Sequence, residues 1–178
     1  DDAAVAPLLG NLAVLYENQK RWNRAALLLV RALDLAERGY NSDDLETATI
    51  LHNLGVVRSR QGKLDEAQKM LRRALGIRQK VLGLTNVFVA KASFTLAVVL
   101  TNKGNYDEAK LRYTEALQVQ EERLGRKAPE VATTLEHLAF VLRKMKSPQE
   151  ASVMATRAKL IRAETDYSVK IGVGTGRR

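Results

Sequence analysis

The same residues return every 42 positions along this chain of 178, and that period restricts the fold more than any other property of it. Leu12, Leu54, Leu96 and Leu138 keep the spacing. So do Ala25, Ala67, Ala109 and Ala151, and again Ala32, Ala74, Ala116 and Ala158. Ala13, Gly55, Ala97 and Ala139 form a small-residue register, Leu35, Ile77, Val119 and Ile161 an apolar one, and Ala6, Ala48, Ala90 and Ala132 another. Six registers held through four copies without an insertion are not a product of chance.

Within each copy the apolar spacing is helical. Leu9, Leu12, Ala13 and Tyr16 follow i, i+3, i+4, i+7, as do Leu135, Leu138, Ala139 and Leu142. After a short break, Ala67, Leu71, Ala74, Leu75 and Ile77 mark a second helix. The breaks hold Gly62 and Gly104, which suit a turn. Capping boxes are expected at Asn105 with Glu108 and at Ser147 with Glu150. Pro148 falls at a first helical position, where its missing N–H costs nothing. Asp43 with Glu46, and Pro129, give start signals for the first helices of repeats two and four. Helices approach closely only where side chains are small, so Ala13 and Ala25 are expected at the crossing within a hairpin, and Ala32 against the next repeat. The prediction is an all-α chain of four helix-turn-helix units, about eight antiparallel helices, in repeats 3–44, 45–86, 87–128 and 129–165. A flexible basic tail is expected over 166–178.

The sequence resembles the tetratricopeptide repeat family. Leu12, Ala13 and Tyr16 fill its L-G-x-x-Y signature, and Ala25, Leu29 and Ala32 its remaining A, F and A positions. The period of 42 and the wording of residues 129–139 and 74–83 are similar to the kinesin light chain type. Departures are Arg58 at the Tyr register of repeat two, Ser93 in repeat three and Lys159 where Leu is usual. The resemblance implies a right-handed superhelical solenoid whose concave groove is lined by the first helix of each repeat.

Spacing alone places Asn11, Val14 and Asn18 beside the packing stripe in repeat one, and Asn53, Val56 and Arg60 in repeat two. Lys91, Thr95, Val98 and Asn102 follow in repeat three, and Thr133, His137, Phe140 and Lys144 in repeat four. His52, Phe94, Glu136 and Arg143 border these rows. Asn11 and Asn53 match an Asn of kinesin-light-chain-like repeats, and the resemblance implies that they hydrogen-bond the backbone of an extended peptide. Thr95 and His137 interrupt that row. Arg60, Lys91, Arg143 and Lys144 make the groove mildly cationic, suited to an acidic segment. The positions that clamp a terminal carboxylate in chaperone-binding members carry Gly10, His52, Phe94 and Glu136, so no such clamp is expected.

Two other features bear on partners. Leu27, Leu28 and Val30 replace Lys69, Met70 and Arg72 of repeat two, so the second helix of repeat one is apolar around more of its circumference. This face is expected to dock another element, either upstream repeats or a partner subunit. The net charge is +9, and its distribution matters more than its sum. Residues 126–178 carry 11 basic and five acidic side chains, net +6, while residues 90–125 balance at five of each. The basic end, with Lys170, Arg177 and Arg178 in the tail, is expected to meet RNA phosphate or an acidic neighbour. Gly172, Gly174 and Gly176 do not form a dinucleotide fingerprint, because no strand precedes them and no helix follows.

Several functions are disfavoured. The chain has no Cys, which removes thiolate metal sites, Cys nucleophiles and disulfides. His52 and His137 stand two repeats apart, about 20 Å if adjacent helices pack at 8–10 Å, too far to share a metal at ~2 Å bonds. No nucleophile-elbow, phosphate-loop or metalloprotease signature is present. Asp65 with Glu66 and Asp107 with Glu108 recur at one register and suit the helix dipole rather than acid–base chemistry. The longest apolar run, Ala25 to Val30, is far short of the ~20 residues of a membrane span. Asp1 opens the chain in place of Met, so a processed or truncated product is expected. The expectation is therefore an intracellular, cytoplasmic or organellar protein without catalytic residues, metal or cofactor. Its groove would bind a protein or peptide segment. The alternative is a structural subunit or assembly factor of a large organellar or ribonucleoprotein complex.

Overall fold

The computed structural model describes residues 2–39 and 43–170, with side chains from residues 4 to 165. Among these residues there are eight helices and no strand: α1 (Asp2–Asn18), α2 (Trp22–Gly39), α3 (Leu45–Arg60), α4 (Leu64–Leu82), α5 (Val87–Asn102), α6 (Tyr106–Leu124), α7 (Pro129–Lys144) and α8 (Pro148–Lys170). They form four antiparallel hairpins stacked in chain order, the solenoid that the period of 42 requires. Helix α8 continues through Lys170, and the expected tail residues 171–178, with Arg177 and Arg178, lie outside the described residues. So does the side chain of Lys170.

Small residues set the hairpin crossings. Ala13, Ala25, Ala32, Ala67, Ala74, Ala109 and Ala116 are fully buried. At Gly55 the approach is closest: a Cβ there would stand 2.7 Å from Leu71 Cγ. The turn inside each hairpin uses one backbone position in the left-handed region, again at period 42: Lys20 (φ 58°), Gly62 (φ 78°), Gly104 (φ 81°) and Lys146 (φ 60°).

Helix starts differ in detail from the expected caps. Asp44, one residue after Asp43, caps α3 by accepting from the Thr47 amide at 2.7 Å. Asn105 makes no side-chain cap. Its amide closes the preceding turn onto Leu100 O at 2.9 Å, and Glu108 is drawn away to Arg72 at 2.6 Å. Glu150 likewise reaches Lys110, 3.3 Å away. Inter-repeat pairing has outcompeted the local capping box. Pro129 and Pro148 do open α7 and α8.

Burial shows which surface each layer needs from its neighbour. Thr47, Ile50, Leu54 and Val57 on α3 are buried against the preceding repeat, as are Val89, Ala92, Leu96 and Val99 on α5. The same stripe on α1, Val5, Leu8, Leu12 and Leu15, has no such cover and is 37%, 66%, 41% and 57% exposed.

Candidate functional site

First helices touch first helices along the stack: α1 meets α3, α3 meets α5, and α5 meets α7. Second helices stand further from one another and meet through long ion-paired side chains, such as Arg72 with Glu108 and Lys110 with Glu150. The inside of the curve is the side where equivalent elements approach, so α1, α3, α5 and α7 line the concave groove.

The expected groove residues fall into two groups. Asn11, Asn18, Arg60, Lys91, Asn102, Arg143 and Lys144 are exposed, and Asn53, Phe94 and His137 are half-buried. Asn11, Asn18, Asn53, Lys91, Asn102 and Arg143 make no side-chain hydrogen bond or ion pair with another described residue. Lys144 lies 5.4 Å over the Phe140 ring. Burial raises the pKa of Glu17, and the charge of Arg60 opposes the shift. His52, in contrast, is 93% buried and meets the Arg78 guanidinium, Nη1 to Nδ1 at 3.5 Å. Its pKa falls to about 3, chiefly through burial and then through the charges of Arg78 and Lys91.

Between repeats three and four the groove floor is aromatic. Phe94 stands edge-on to Tyr113 and to His137, with ring centroids 5.4 and 5.1 Å apart. The Tyr113 hydroxyl meets His137 Nδ1 at 3.2 Å. Tyr113 is fully buried, and burial pushes its pKa up to about 12. Burial also lowers the pKa of His137, with Glu136 opposing. With the imidazole neutral and its proton on Nε2, the phenol O–H donates to Nδ1. Beside this cluster lies a hollow of about 400 Å³ lined by Val87, Phe88, Lys91, Phe94, Leu124 and Glu130 among others. It joins apolar walls to one cation, one anion and the polar side chains of Gln120, Thr133 and Thr134.

Neither Tyr113 nor Arg78 was marked by groove spacing, because both project from second helices. Register comparison carries the signal: Tyr113 stands where Leu29 and Leu71 do, and Arg78 where Ala36 does. Of the expected docking residues, Leu27 and Val30 are 73% and 46% exposed, while Leu28 is half-buried against the first-repeat core. The larger uncovered apolar surface is the α1 stripe, on a helix whose Leu12 had been assigned to the packing face. Among the described residues no group of three His, Cys, Asp or Glu is placed to hold a metal ion. No helix there is long and apolar enough to cross a membrane.

A stack of helix hairpins whose like helices line one curved groove defines a helical-repeat solenoid. The chain belongs to the tetratricopeptide repeat family, whose profile matches residues 4–80 and 88–159. Among solved structures it is similar to BtubC (BKLC) from P. vanneervenii, with TM-score 0.87 and 24% identity over 100% of this chain and 68% of that one. A kinesin light chain-like protein of Podosopora anserina with nearly identical TPR-like repeats matches at TM-score 0.82 and 19% identity, over 93% of this chain and 78% of that one. The apo form of RapI matches at TM-score 0.82 and 18% identity, over 96% and 61%. No curated protein matches the sequence. The fold is that of a protein–protein interaction scaffold.

Proposed function

We propose that the chain is a non-catalytic scaffold that receives an extended protein segment in its concave groove, an acidic one being the best match. One observation carries this reading: Asn11, Asn53, Lys91 and Arg143 on the first helices make no side-chain hydrogen bond or ion pair with another described residue. Asn11 and Asn53 are ready to pair with peptide backbone. Lys91 and Arg143 are charges that the repeat's own ion pairs leave unused. Affinity purification with mass spectrometry would supply the segment. Reversing Arg60 and Lys91 to Glu is then expected to weaken its binding and flatten the salt dependence. Unchanged affinity and unchanged salt slope would overturn the groove reading.

A second reading, a structural subunit or assembly factor docked through the first repeat, is favoured by the α1 stripe. Leu8 and Leu15, 66% and 57% exposed, sit at registers that are buried in every later repeat. A complex in which hydrogen exchange protects α1 and leaves α3 and α5 unchanged would support this reading against the groove.

A further inference from the structure

Each first helix after α1 is covered by the second helix of the repeat before it, and ion pairs at the rim of that contact recur with the period. Arg73 on α4 pairs with Glu37 on α2, and Arg157 on α8 pairs with Glu121 on α6 at 2.5 Å. Nearer the helix starts, Glu108 on α6 meets Arg72 on α4 at 2.6 Å, and Glu150 on α8 meets Lys110 on α6 at 3.3 Å. Two registers of the second helix therefore face the preceding repeat. One holds Arg31, Arg73, Glu115 and Arg157, the other Arg24, Glu66, Glu108 and Glu150. Glu66 and Glu115 pair within their own repeats instead.

In repeat one these registers hold two exposed cations. Arg31 makes no ion pair with another described residue, and Arg24 has only the Tyr16 ring, 5.8 Å from its guanidinium. Arg24 also reverses the charge that Glu66, Glu108 and Glu150 keep. Beside both runs the α1 stripe, with Leu8 and Leu15 66% and 57% exposed.

The three covered layers define what fits there. Each covering helix presents large apolar residues four apart: Leu29 with Leu33, Leu71 with Leu75, and Tyr113 with Leu117. Arg31 calls for a carboxylate at the register of Glu37 and Glu121. Arg24 calls for one at the register of Arg72, seven positions earlier, because its charge is opposite to that of Glu108. A helix with apolar residues at i and i+4 and carboxylates at i+1 and i+8 meets all four demands. The chain's own α8 does not, since it brings Thr156 and Ala163 to the carboxylate registers and Lys159 to the stripe. A neutral cover would draw both guanidiniums partly out of water without a counter-charge.

We propose that the open face of repeat one, the α1 stripe with Arg24 and Arg31, receives an amphipathic helix of a partner protein whose apolar stripe is edged by two carboxylates seven residues apart. This site rests on the first-repeat docking reading given above and names the chemistry of the helix that docks.

The probe is a dye-labelled, end-blocked peptide of the α2 sequence Trp22–Gly39 carrying Val30→Glu, which already has Leu29, Leu33 and Glu37 in place. Its twin carries Val30→Gln and Glu37→Gln. Anisotropy is expected to show the protein preferring the Glu peptide about fivefold, the scale of two exposed ion pairs. Arg24→Glu with Arg31→Glu, folded by circular dichroism, is expected to reverse that preference. Leu8→Gln with Leu15→Gln, at exposed positions that folding tolerates, is expected to weaken both peptides about tenfold. Hydrogen exchange is expected to show the bound peptide protecting α1. Equal binding of the two peptides, weakened in the leucine variant, would overturn the role of the arginines and leave first-repeat docking standing. If neither peptide binds while affinity-purified complexes still protect α1, the docking reading survives and this helix chemistry is wrong. A preference for the Glu peptide that persists in the leucine variant, with α1 unprotected in any complex, removes both. Dimerisation of the free protein, seen by sedimentation and abolished in the leucine variant, would make a second copy the occupant and overturn the partner helix.

Discussion

One leucine register gives a quantitative test of how this solenoid is held together. Leu12, Leu54, Leu96 and Leu138 occupy equivalent positions, yet their exposures are 41%, 1%, 0% and 4%. Truncation to Ala removes the same three carbons each time, about 2.4 kcal/mol of transfer free energy at ~0.8 per carbon if burial is complete. At Leu54 and Leu96 a closed cavity adds to this, so the expected loss is about 3–4 kcal/mol each. Leu12 has only about three-fifths of its surface out of water, and its site opens to solvent. Its loss is then about 1–1.5 kcal/mol, without a cavity contribution. Urea unfolding followed by helical circular dichroism measures all four, with midpoints compared where slopes agree, since repeat arrays can lose two-state behaviour. Leu12→Ala costing as much as Leu54→Ala would refute the reasoning, because the α1 stripe would then be covered in the free protein.

Three further outcomes are expected. Lys146→Gly, at φ 60° in a register where Gly62 and Gly104 also occur, is expected to stabilise by up to about 1 kcal/mol; a fall in thermal midpoint would show that the Lys side chain matters. Gly55→Ala is expected to destabilise by about 1–3 kcal/mol, since the new Cβ stands 2.7 Å from the buried Leu71; a gain in midpoint would mean that helix propensity outweighs the clash. His52 and His137 both have depressed pKa values, so between pH 6.5 and about 3 the unfolded chain binds protons that the folded one refuses. Stability is therefore lost as pH falls through that window, with His52 contributing up to about 1.4 kcal/mol per pH unit. His52→Gln should remove that share, and an unchanged pH slope would contradict it.

Much of the fold was legible because the period reports a packing constraint. Ala13, Ala25 and Ala32 are buried where recurrence placed them, and Pro129 and Pro148 start the helices they were expected to start. The capping boxes were not legible. Asn105 and Glu108 have the right spacing, but an arginine one repeat away competes for the glutamate, and only the stack shows that Arg72 is there. The groove was half legible. Periodicity found the side chains of the first helices, including Lys91 and Phe94. It gave no account of what reaches the groove from behind, so Arg78 and Tyr113 appear only when the second helices are in place. His52 shows the same limit. Its face was assigned from spacing, while its burial is set by an arginine 26 residues further on.

The two ends of the stack obey opposite rules, and this bears on how the protein associates. Repeat arrays close their ends with polar faces, because an end layer has a neighbour on one side only. On α8 the registers that hold Leu29, Leu71 and Tyr113 in earlier second helices carry Ala155, and the registers of Leu33, Leu75 and Leu117 carry Lys159. Lys159 is exposed, so the α8 face at these registers has no large apolar stripe, while Val153 and Leu160 elsewhere on the helix are 61% and 62% exposed. On α1 the corresponding surface keeps Val5, Leu8, Leu12 and Leu15, the residue types that later repeats bury against a second helix. Head-to-tail stacking of two copies would press that stripe against Ala155 and Lys159, leaving a Lys to be desolvated and too little apolar surface to offset it. The α1 stripe instead matches a helix bearing large apolar side chains, such as the second helix of another repeat, and the groove remains free to act independently of it.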